Sequence, residues 1–379
     1  MFHFLTKPHV TKFEDSNIAN IGSDLDKKAR LDAAHKEPAW EGVGSKVGLR
    51  VFRIEQFQVK PVPEKDYGRF YNGDSYIVIN TWKKPQGDKL YYDIHFWLGL
   101  KTSQDEAGTA AYKTVELDDY LGTLPVQHRE VQNSESQLFK SYFPHFEILN
   151  GGVDSGFHHV SGDTHTPHLY KISLHGLPSH SHQGVTITEE DVISSAALNT
   201  GEVFVFDAAD AVYVWIGSES KGVEKVKAQE VANRIVGERD GRVEISVYDE
   251  NDSDAGPFWT ALGGKGPVSK KVVSAKPVFE KTLIRLTDRT RGGKLSYHFE
   301  AKGSDVSLSK FDTKDVFIFD ANEHVFVWIG KGSDDVERKN ALKFAGDYLH
   351  ENGRPLTLPV TRIIEGMDHC AAFNIAIEV

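Results

Sequence analysis

The sequence predicts a mixed α/β (α+β) chain of three repeated domains. Each is expected to be a central mixed β-sheet of about five strands, packed by a long helix and a shorter one. Three observations predict it. Residues 203–228, VFVFDAADAVYVWIGSESKGVEKVKA, return without a gap at 316–341 as VFIFDANEHVFVWIGKGSDDVERKNA, an offset of 113 residues. That offset lies far beyond the roughly 20–50 residues of solenoid repeats, so the repeating unit is a small domain. A more diverged copy stands at 73–107, GDSYIVINTWKKPQGDKLYYDIHFWLGLKTSQDEA. Finally, every copy carries tryptophan, then glycine, then glutamate at one spacing: Trp97, Gly99, Glu106; Trp215, Gly217, Glu224; Trp328, Gly330, Glu337. An acid precedes each tryptophan. Glu202 and Asp315 stand 13 residues ahead of theirs and Asp74 stands 23 ahead, because the first hairpin is longer. A fold and one pair of carboxylates recur together.

The 379 residues suit two or three domains, and the repeat sets the number at three. The division expected is an extension over 1–45, domains over 46–160, 161–262 and 280–379, and a linker over 263–279. A single cysteine, Cys370, cannot form an internal disulfide, and nothing approaches the run of about 20 apolar residues that a membrane span needs. Both point to a soluble protein of a reducing compartment, most simply the cytoplasm. The formal charge of −11, from 44 basic and 55 acidic side chains, argues against nucleic acid as the main partner. It leaves room for divalent cations.

The first 45 residues are polar, with Trp40 placed to anchor their end. LRVFRIEQFQV at 49–59 is β-rich, YGRFYNG at 67–73 supplies turn chemistry, and SYIVINTW at 75–82 is a strand. YYDIHFWLG at 91–99 completes a hairpin across the PQGD turn at 85–88. A helix follows. At a helical period Ala107, Ala110, Ala111, Thr114, Leu117 and Leu121 fall within about 120° of arc, a stripe suited to burial. Gly108, Tyr112, Val115, Glu116 and Asp119 fall on a second arc, which reads either as an ordinary solvent face or as a partner-binding one. The second and third domains repeat strand, tight turn, strand, helix. In the third, Asp334 caps a helix whose buried stripe is Val336, Ala341, Phe344, Ala345, Tyr348 and Leu349. The irregular stretch 251–277, rich in Gly, Pro, Ser and Lys, reads as a linker that lets domains move.

The carboxylate pairs carry the chemistry. Asp74 opens a strand, and Glu106 lies near the start of the helix that packs on that sheet. Two carboxylates held close repel unless a proton or a cation intervenes. Hard oxygen ligands beside backbone carbonyls suit calcium, which takes roughly 6–8 oxygens in flexible geometry, better than magnesium with its tight octahedron. The plain alternative is a set of solvated acids capping strand and helix ends. Other motifs fall away. DENDSD at 249–254 opens like an EF-hand loop but has Asp254 at the glycine position and Thr260 at the glutamate position. GGKG at 263–266 lacks phosphate-loop spacing. The histidines from His145 to His182, among them His158, His159, His165, His168, His175, His180 and His182, lack cysteines and regular spacing, and read as a pH-sensitive surface more than a zinc site. No nucleophile elbow supports hydrolysis, and three recurring acid pairs do not make one catalytic pocket, so no enzyme is expected.

GDSY at 73–76, DIHFWLG at 93–99, QDEAGTAAYKTVELDDYLG at 104–122, QHREVQ at 127–132 and GGVDSGF at 151–157 together closely resemble the gelsolin/villin superfamily. Three domains without a second set of three is similar to its short severin/fragmin type. KKARLDAAHKEPAWEGVG at 27–44 extends the resemblance over nearly the whole chain. The resemblance implies a calcium-regulated actin-binding protein that severs filaments, caps their barbed ends and can nucleate new ones; capping alone is the rival. It implies calcium at Gly73, Asp74 and Glu106, with the carbonyl of Val153 closing the site. The equivalents are Gly201, Glu202 and Glu224, then Lys314, Asp315 and Glu337. It implies a further calcium shared with actin through Asp118, and an actin contact face of Gly108, Tyr112, Val115, Glu116 and Asp119. Two departures stand out. Glu202 replaces the usual aspartate, and the stretches 141–152 and 168–176, where relatives bind phosphoinositides through basic runs, hold few lysines.

Overall fold

The computed structural model describes residues 31–153, 166–174, 184–271, 278–287, 296–333, 335–367 and 369–378, apart from the side chains of 287 and 335–340. After a turn at Pro38–Trp40, the first domain runs β1 (Gly48–Glu55), β2 (Gln58–Pro61), β3 (Arg69–Tyr71), β4 (Ser75–Lys83), β5 (Leu90–Leu98), α1 (Gln104–Tyr120), β6 (Val126–Val131), α2 (Gln137–Ser141) and β7 (Phe146–Leu149). The second runs β8 (His168–Leu174), β9 (Val185–Glu189), β10 (Val203–Asp207), β11 (Ala211–Ile216), α3 (Gly222–Glu238), β12 (Glu244–Asp249) and α4 (Gly256–Ala261). The third runs β13 (Thr282–Thr287), β14 (Ser296–Lys302), β15 (Val316–Asp320), β16 (Val325–Ile329), α5 (Asp335–Glu351), β17 (Val360–Ile364) and α6 (Ala371–Glu378).

One plan serves all three. An antiparallel hairpin, β4–β5, β10–β11 or β15–β16, is followed by a helix of 17 residues. The helix crosses the sheet, so the next strand returns parallel: β6 beside β5, β12 beside β11, β17 beside β16. Strand alternation then feeds two cores. Val203 and Val205 face the long helix with Ala228, Val231 and Ala232, while Phe204 and Phe206 face the short helix with Phe258 and Trp259. In domain 3, Val316 and Ile318 meet Ala341 and Ala345, and Phe317 and Phe319 meet Phe373. Both faces being covered, VFVFD and VFIFD are buried at every residue, which is why they read as unbroken apolar runs.

The domains share sheets. Five strands of domain 1 and five of domain 3 form one ten-stranded sheet, ordered β14-β13-β15-β16-β17-β6-β5-β4-β1-β2. Its seam is the antiparallel pairing of β17 with β6, in register Val360↔Arg129, Thr361↔His128 and Arg362↔Gln127. Domain 2 contributes five strands to a seven-stranded sheet, completed by β7 and β3 of domain 1. The expected five strands per domain are present, with two more from domain 1 lent to its neighbour.

Two local expectations are corrected. YGRFYNG holds the strand β3, not only a turn, because Phe70 is fully buried among Tyr76, Trp97, Phe139, Phe143 and Phe146. The 251–277 stretch is not uniformly a loose linker. Phe258 and Trp259 sit in the domain 2 core, and the chain is strapped back where the Thr200 N–H donates to the Ser269 carbonyl (2.9 Å) and the Ser269 N–H to that of Leu198 (3.2 Å). Residues 272–277 lie outside the described residues, as do Asp334 and the histidines at 158, 159, 165, 175, 180 and 182.

Candidate functional site

The glycine after each tryptophan has a structural cause. The N–H of Gly99 donates to the carbonyl of Asp74 (3.1 Å), that of Gly217 to Glu202 (3.0 Å) and that of Gly330 to Asp315 (3.1 Å). The approach is too close for a side chain. A Cβ on Gly99 would stand 2.3 Å from the Asn72 carbonyl, one on Gly217 2.5 Å from that of Thr200, and one on Gly330 2.2 Å from that of Thr313. Tryptophan anchors the strand end in the core, glycine lets the backbones meet, and the acid is fixed at the mouth.

In domain 1 the two acids act on each other through their charges. Asp74 is 1% exposed; its Oδ1 accepts the N–H of Val153 at 2.8 Å and its Oδ2 lies 3.5 Å from the Arg53 guanidinium. Burial pushes its carboxyl up to about 6, and the charge of Glu106 adds to the rise, against the Val153 N–H and Arg53. Glu106 is itself buried at the N-terminus of α1, which Ser103 caps by accepting the Glu106 N–H at 3.2 Å. The loop 151–153 folds over Asp74. A Cβ on Gly152 would lie 2.6 Å from Asp74 Oδ1, and Gly73 donates to the Gly151 carbonyl at 2.8 Å. Carboxylates and a glycine-lined backbone supply oxygen donors only, and the buried, mutually repelling acids gain from a cation. The set fits calcium. The Val153 amide N–H holds Asp74, which places beside the pair the residue whose carbonyl the resemblance assigns to the metal.

Domain 2 differs. Both oxygens of the fully buried Glu224 are occupied by backbone donors, Leu174 at 2.8 Å and Lys221 at 2.7 Å. Glu202 accepts from Asn199 Nδ2 at 2.8 Å. Burial pushes its carboxyl up, but hydrogen bonding to Asn199 and Ser173, and after them the charges of Lys171 and Lys271, outweigh it and hold the group below its ordinary value. Gly201 packs against the Lys271 stem. In domain 3, Asp315 is buried 3.3 Å from the Arg285 guanidinium, Lys314 is exposed, and the Glu337 side chain lies outside the described residues.

The helix face is only partly open. Gly108, Tyr112, Val115 and Asp119 of α1 are half-buried. Glu116, expected among them, is 1% exposed, because its Oε1 accepts from the indole of buried Trp40 at 2.9 Å and from Lys113 at 3.0 Å. Asp118 is buried at the domain 3 seam, 3.7 Å from the Arg362 guanidinium.

Sequence reasoning misses a recurring side-chain acceptor. Gln132, Glu250 and Glu365 each follow the parallel strand directly and accept a backbone N–H just beyond the glycine: Leu100, Ser218 and Lys331, at 2.9, 2.8 and 2.8 Å. Their common place after β6, β12 and β17 is the signal that finds them. Arg53, Lys171 and Arg285 escape it as well.

The comparisons agree with this threefold geometry. A family model described as the gelsolin repeat matches residues 56–140, 185–256 and 299–365. The chain is 39% identical over 375 residues to "Gelsolin-like protein 1" of Lumbricus terrestris, covering 98% of each. It is 39% identical to "Severin" of Echinococcus granulosus over 374 residues, 95% of this chain and 96% of that one. Against "Gelsolin" of Drosophila melanogaster it is 36% identical over 348 residues, 87% of this chain and 42% of that longer one.

Proposed function

The chain belongs to the gelsolin family, and from that premise we propose that it is a calcium-regulated actin-binding protein that severs filaments and caps their barbed ends. One observation carries the regulatory part: a single helix, α1, bears both the buried acid Glu106 and the half-buried face of Tyr112, Val115 and Asp119. Whatever settles the Asp74–Glu106 pair also settles the platform of that face.

The ligands would be Asp74 and Glu106 with backbone oxygens near Gly73 and Val153, and the corresponding groups at Gly201, Glu202 and Glu224 and at Lys314, Asp315 and Glu337. Calcium, when bound, supplies the positive charge that cancels carboxylate repulsion. The chain's own residues supply the restraint. β17 pairs with β6, and Arg362 holds Asp118, so α1 is tethered to domain 3 beside its proposed actin-facing surface. An arrangement with that seam released favours any ligand that needs the surface, by differential affinity. Domain 2 then grips the filament side and domain 1 wedges between subunits, with binding free energy and no covalent step. Among the described residues no helix is long and apolar enough to cross a membrane. The reading places the protein on the cytoplasmic cytoskeleton.

Real-time microscopy of labelled filaments tests this. Filaments are expected to break within the field when calcium is added and to stay intact in chelator. Growth arrest without breakage would leave capping alone. Glu106→Gln is expected to lose most severing at every calcium level; normal severing by it refutes the site.

A further inference from the structure

Every strand-opening acid is already met by a cation of this chain. Arg53 on β1, Lys171 on β8 and Arg285 on β13 occupy one register position, opposite Tyr76, Phe204 and Phe317, each two residues after its acid. Arg53 lies 3.5 Å from Asp74 and Arg285 lies 3.3 Å from Asp315, while the Lys171 charge acts on Glu202. Each cation also holds a second carboxylate: Arg53 with Glu55 at 2.7 Å, Lys171 with Glu190 at 2.6 Å, Arg285 with Glu300 at 2.6 Å. These second acids come from different places, β1 itself, the residue after β9, and β14, so the shared arrangement is not a by-product of one strand pattern. Domain 2 adds a cation from the linker. The Lys271 stem lies over Gly201, and its ammonium stands 3.6 Å from Glu202 Oε1 and 3.5 Å from the Gly201 carbonyl, two groups of the candidate metal site.

We propose that these side chains are internal counter-ions that set how much calcium each domain requires, each with a standby carboxylate that keeps it when the site acid turns to the metal. The proposal rests on the reading that the acid pairs bind calcium. A positive charge beside a ligand acid stabilises the metal-free site and opposes a second cation there. The standby carboxylate weakens that hold by drawing the cation away. Domain 2, with Lys271 beside Glu202 and with Glu224 already bonded to the backbone, is the site hardest to load.

Calcium isotherms of the full chain, run beside thermal melts in chelator, test the idea on domain 1. Arg53→Gln is expected to tighten one calcium by about tenfold, the size of a one-unit change in a neighbouring charge interaction, while lowering the melting temperature of the metal-free protein. Glu55→Gln, which leaves Arg53 wholly to Asp74, is expected to weaken the same calcium severalfold, and Arg53→Lys to stay near the parent. Opposite shifts for the two neutral variants, with Glu55→Gln losing its effect in an Arg53→Gln background, carry the proposal: simple loosening of β1 would move both in one direction, and the direct charge of Glu55 on Asp74 would act with or without Arg53. Unchanged or weaker binding by Arg53→Gln, or shifts of equal sign, overturns it while leaving the site intact. A parent chain that takes up no calcium, or a Glu106→Gln variant that keeps every calcium, removes the site reading and the counter-ion with it.

Discussion

Gly99, Gly217 and Gly330 have no room for a methyl group, because the obstacle in each case is a backbone carbonyl within 2.5 Å of the added carbon. Alanine there must push the strand-opening acid away from the hairpin end. Gly330→Ala is therefore expected to cost about 1–3 kcal/mol, read from denaturant unfolding in chelator. Gly108→Ala in α1 meets nothing within 4 Å and should instead gain about 0.5–1 kcal/mol of helix stability. Equal effects from the two would refute the close-approach account. The spacing of tryptophan, glycine and glutamate makes this junction legible in the sequence alone. The counter-ions are not legible there, because an arginine on a strand declares its face only once the partner strand and register are known. Arg53 is 21 residues from Asp74, and Lys271 is 69 beyond Glu202.

At the scale of one element, α1 shows where periodicity stops. Its inward stripe is readable, and Ala110, Thr114 and Leu117 are fully buried as expected. The opposite arc reads as a single face, since Tyr112 and Glu116 are neighbours one turn apart. The extension splits that face. Glu37 and Glu116 hold Lys113 between them at 2.8 and 3.0 Å, and Trp40, packed edge-on against Phe52 at 5.2 Å between ring centres, donates to Glu116. A contact spanning 76 residues leaves no trace in a helical wheel. Trp40→Ala should cost roughly 3–5 kcal/mol through the cavity and the lost indole bond. Trp40→Phe keeps most of the packing but leaves a buried carboxylate short of a donor, for roughly 1–3 kcal/mol. If phenylalanine is as harmful as alanine in unfolding experiments, the indole bond is not what holds the extension to α1.

For the whole molecule, three domains are legible from the repeat and the seam between the first and third is not. β6 and β17 each look like an ordinary returning strand, and nothing in either sequence says that their free edges meet. The seam carries titratable groups. His95 and His128 stack at 4.1 Å between ring centres with 12° between planes. His95 donates to Glu130 (2.9 Å) and accepts from the Tyr142 hydroxyl (3.1 Å); His128 donates to Asp93 (3.2 Å) and accepts from Thr361 (2.9 Å); His324 donates to the same Thr361 oxygen (2.6 Å). His95, His128 and Glu130 bring ligand atoms within 4.8 Å of one another, but near-parallel rings aim their in-plane lone pairs side by side, not at one point, so the trio favours stacking over a metal.

Burial pushes both His95 and His324 down to about 4. His95 faces His128, Glu130 and Asp93, and His324 faces Glu130, His128 and His95. Because these folded values lie below the ordinary histidine range, an opened chain binds protons that the closed one refuses. The stability they contribute is complete above about pH 6.5 and is lost as pH falls toward 4, by about 3 kcal/mol for each ring fully released. At Asp93 and Glu130 burial pushes upward, yet hydrogen bonds to the histidines prevail and hold both carboxyls low, so they add to the loss only below the usual carboxylate range. His324 and its Thr361 partner belong to domain 3 and His128 to domain 1, so the strain falls on the seam itself. Small-angle scattering in chelator should therefore show a constant radius from pH 8 to about 6.5 and expansion on further acidification. Thr361→Val removes the hydroxyl that joins the two domains' rings, and should move that expansion toward neutral pH without altering the calcium isotherm of domain 1. A radius that stays fixed from about pH 6.5 to 4.5 in both proteins would mean that the rings titrate without loading the seam.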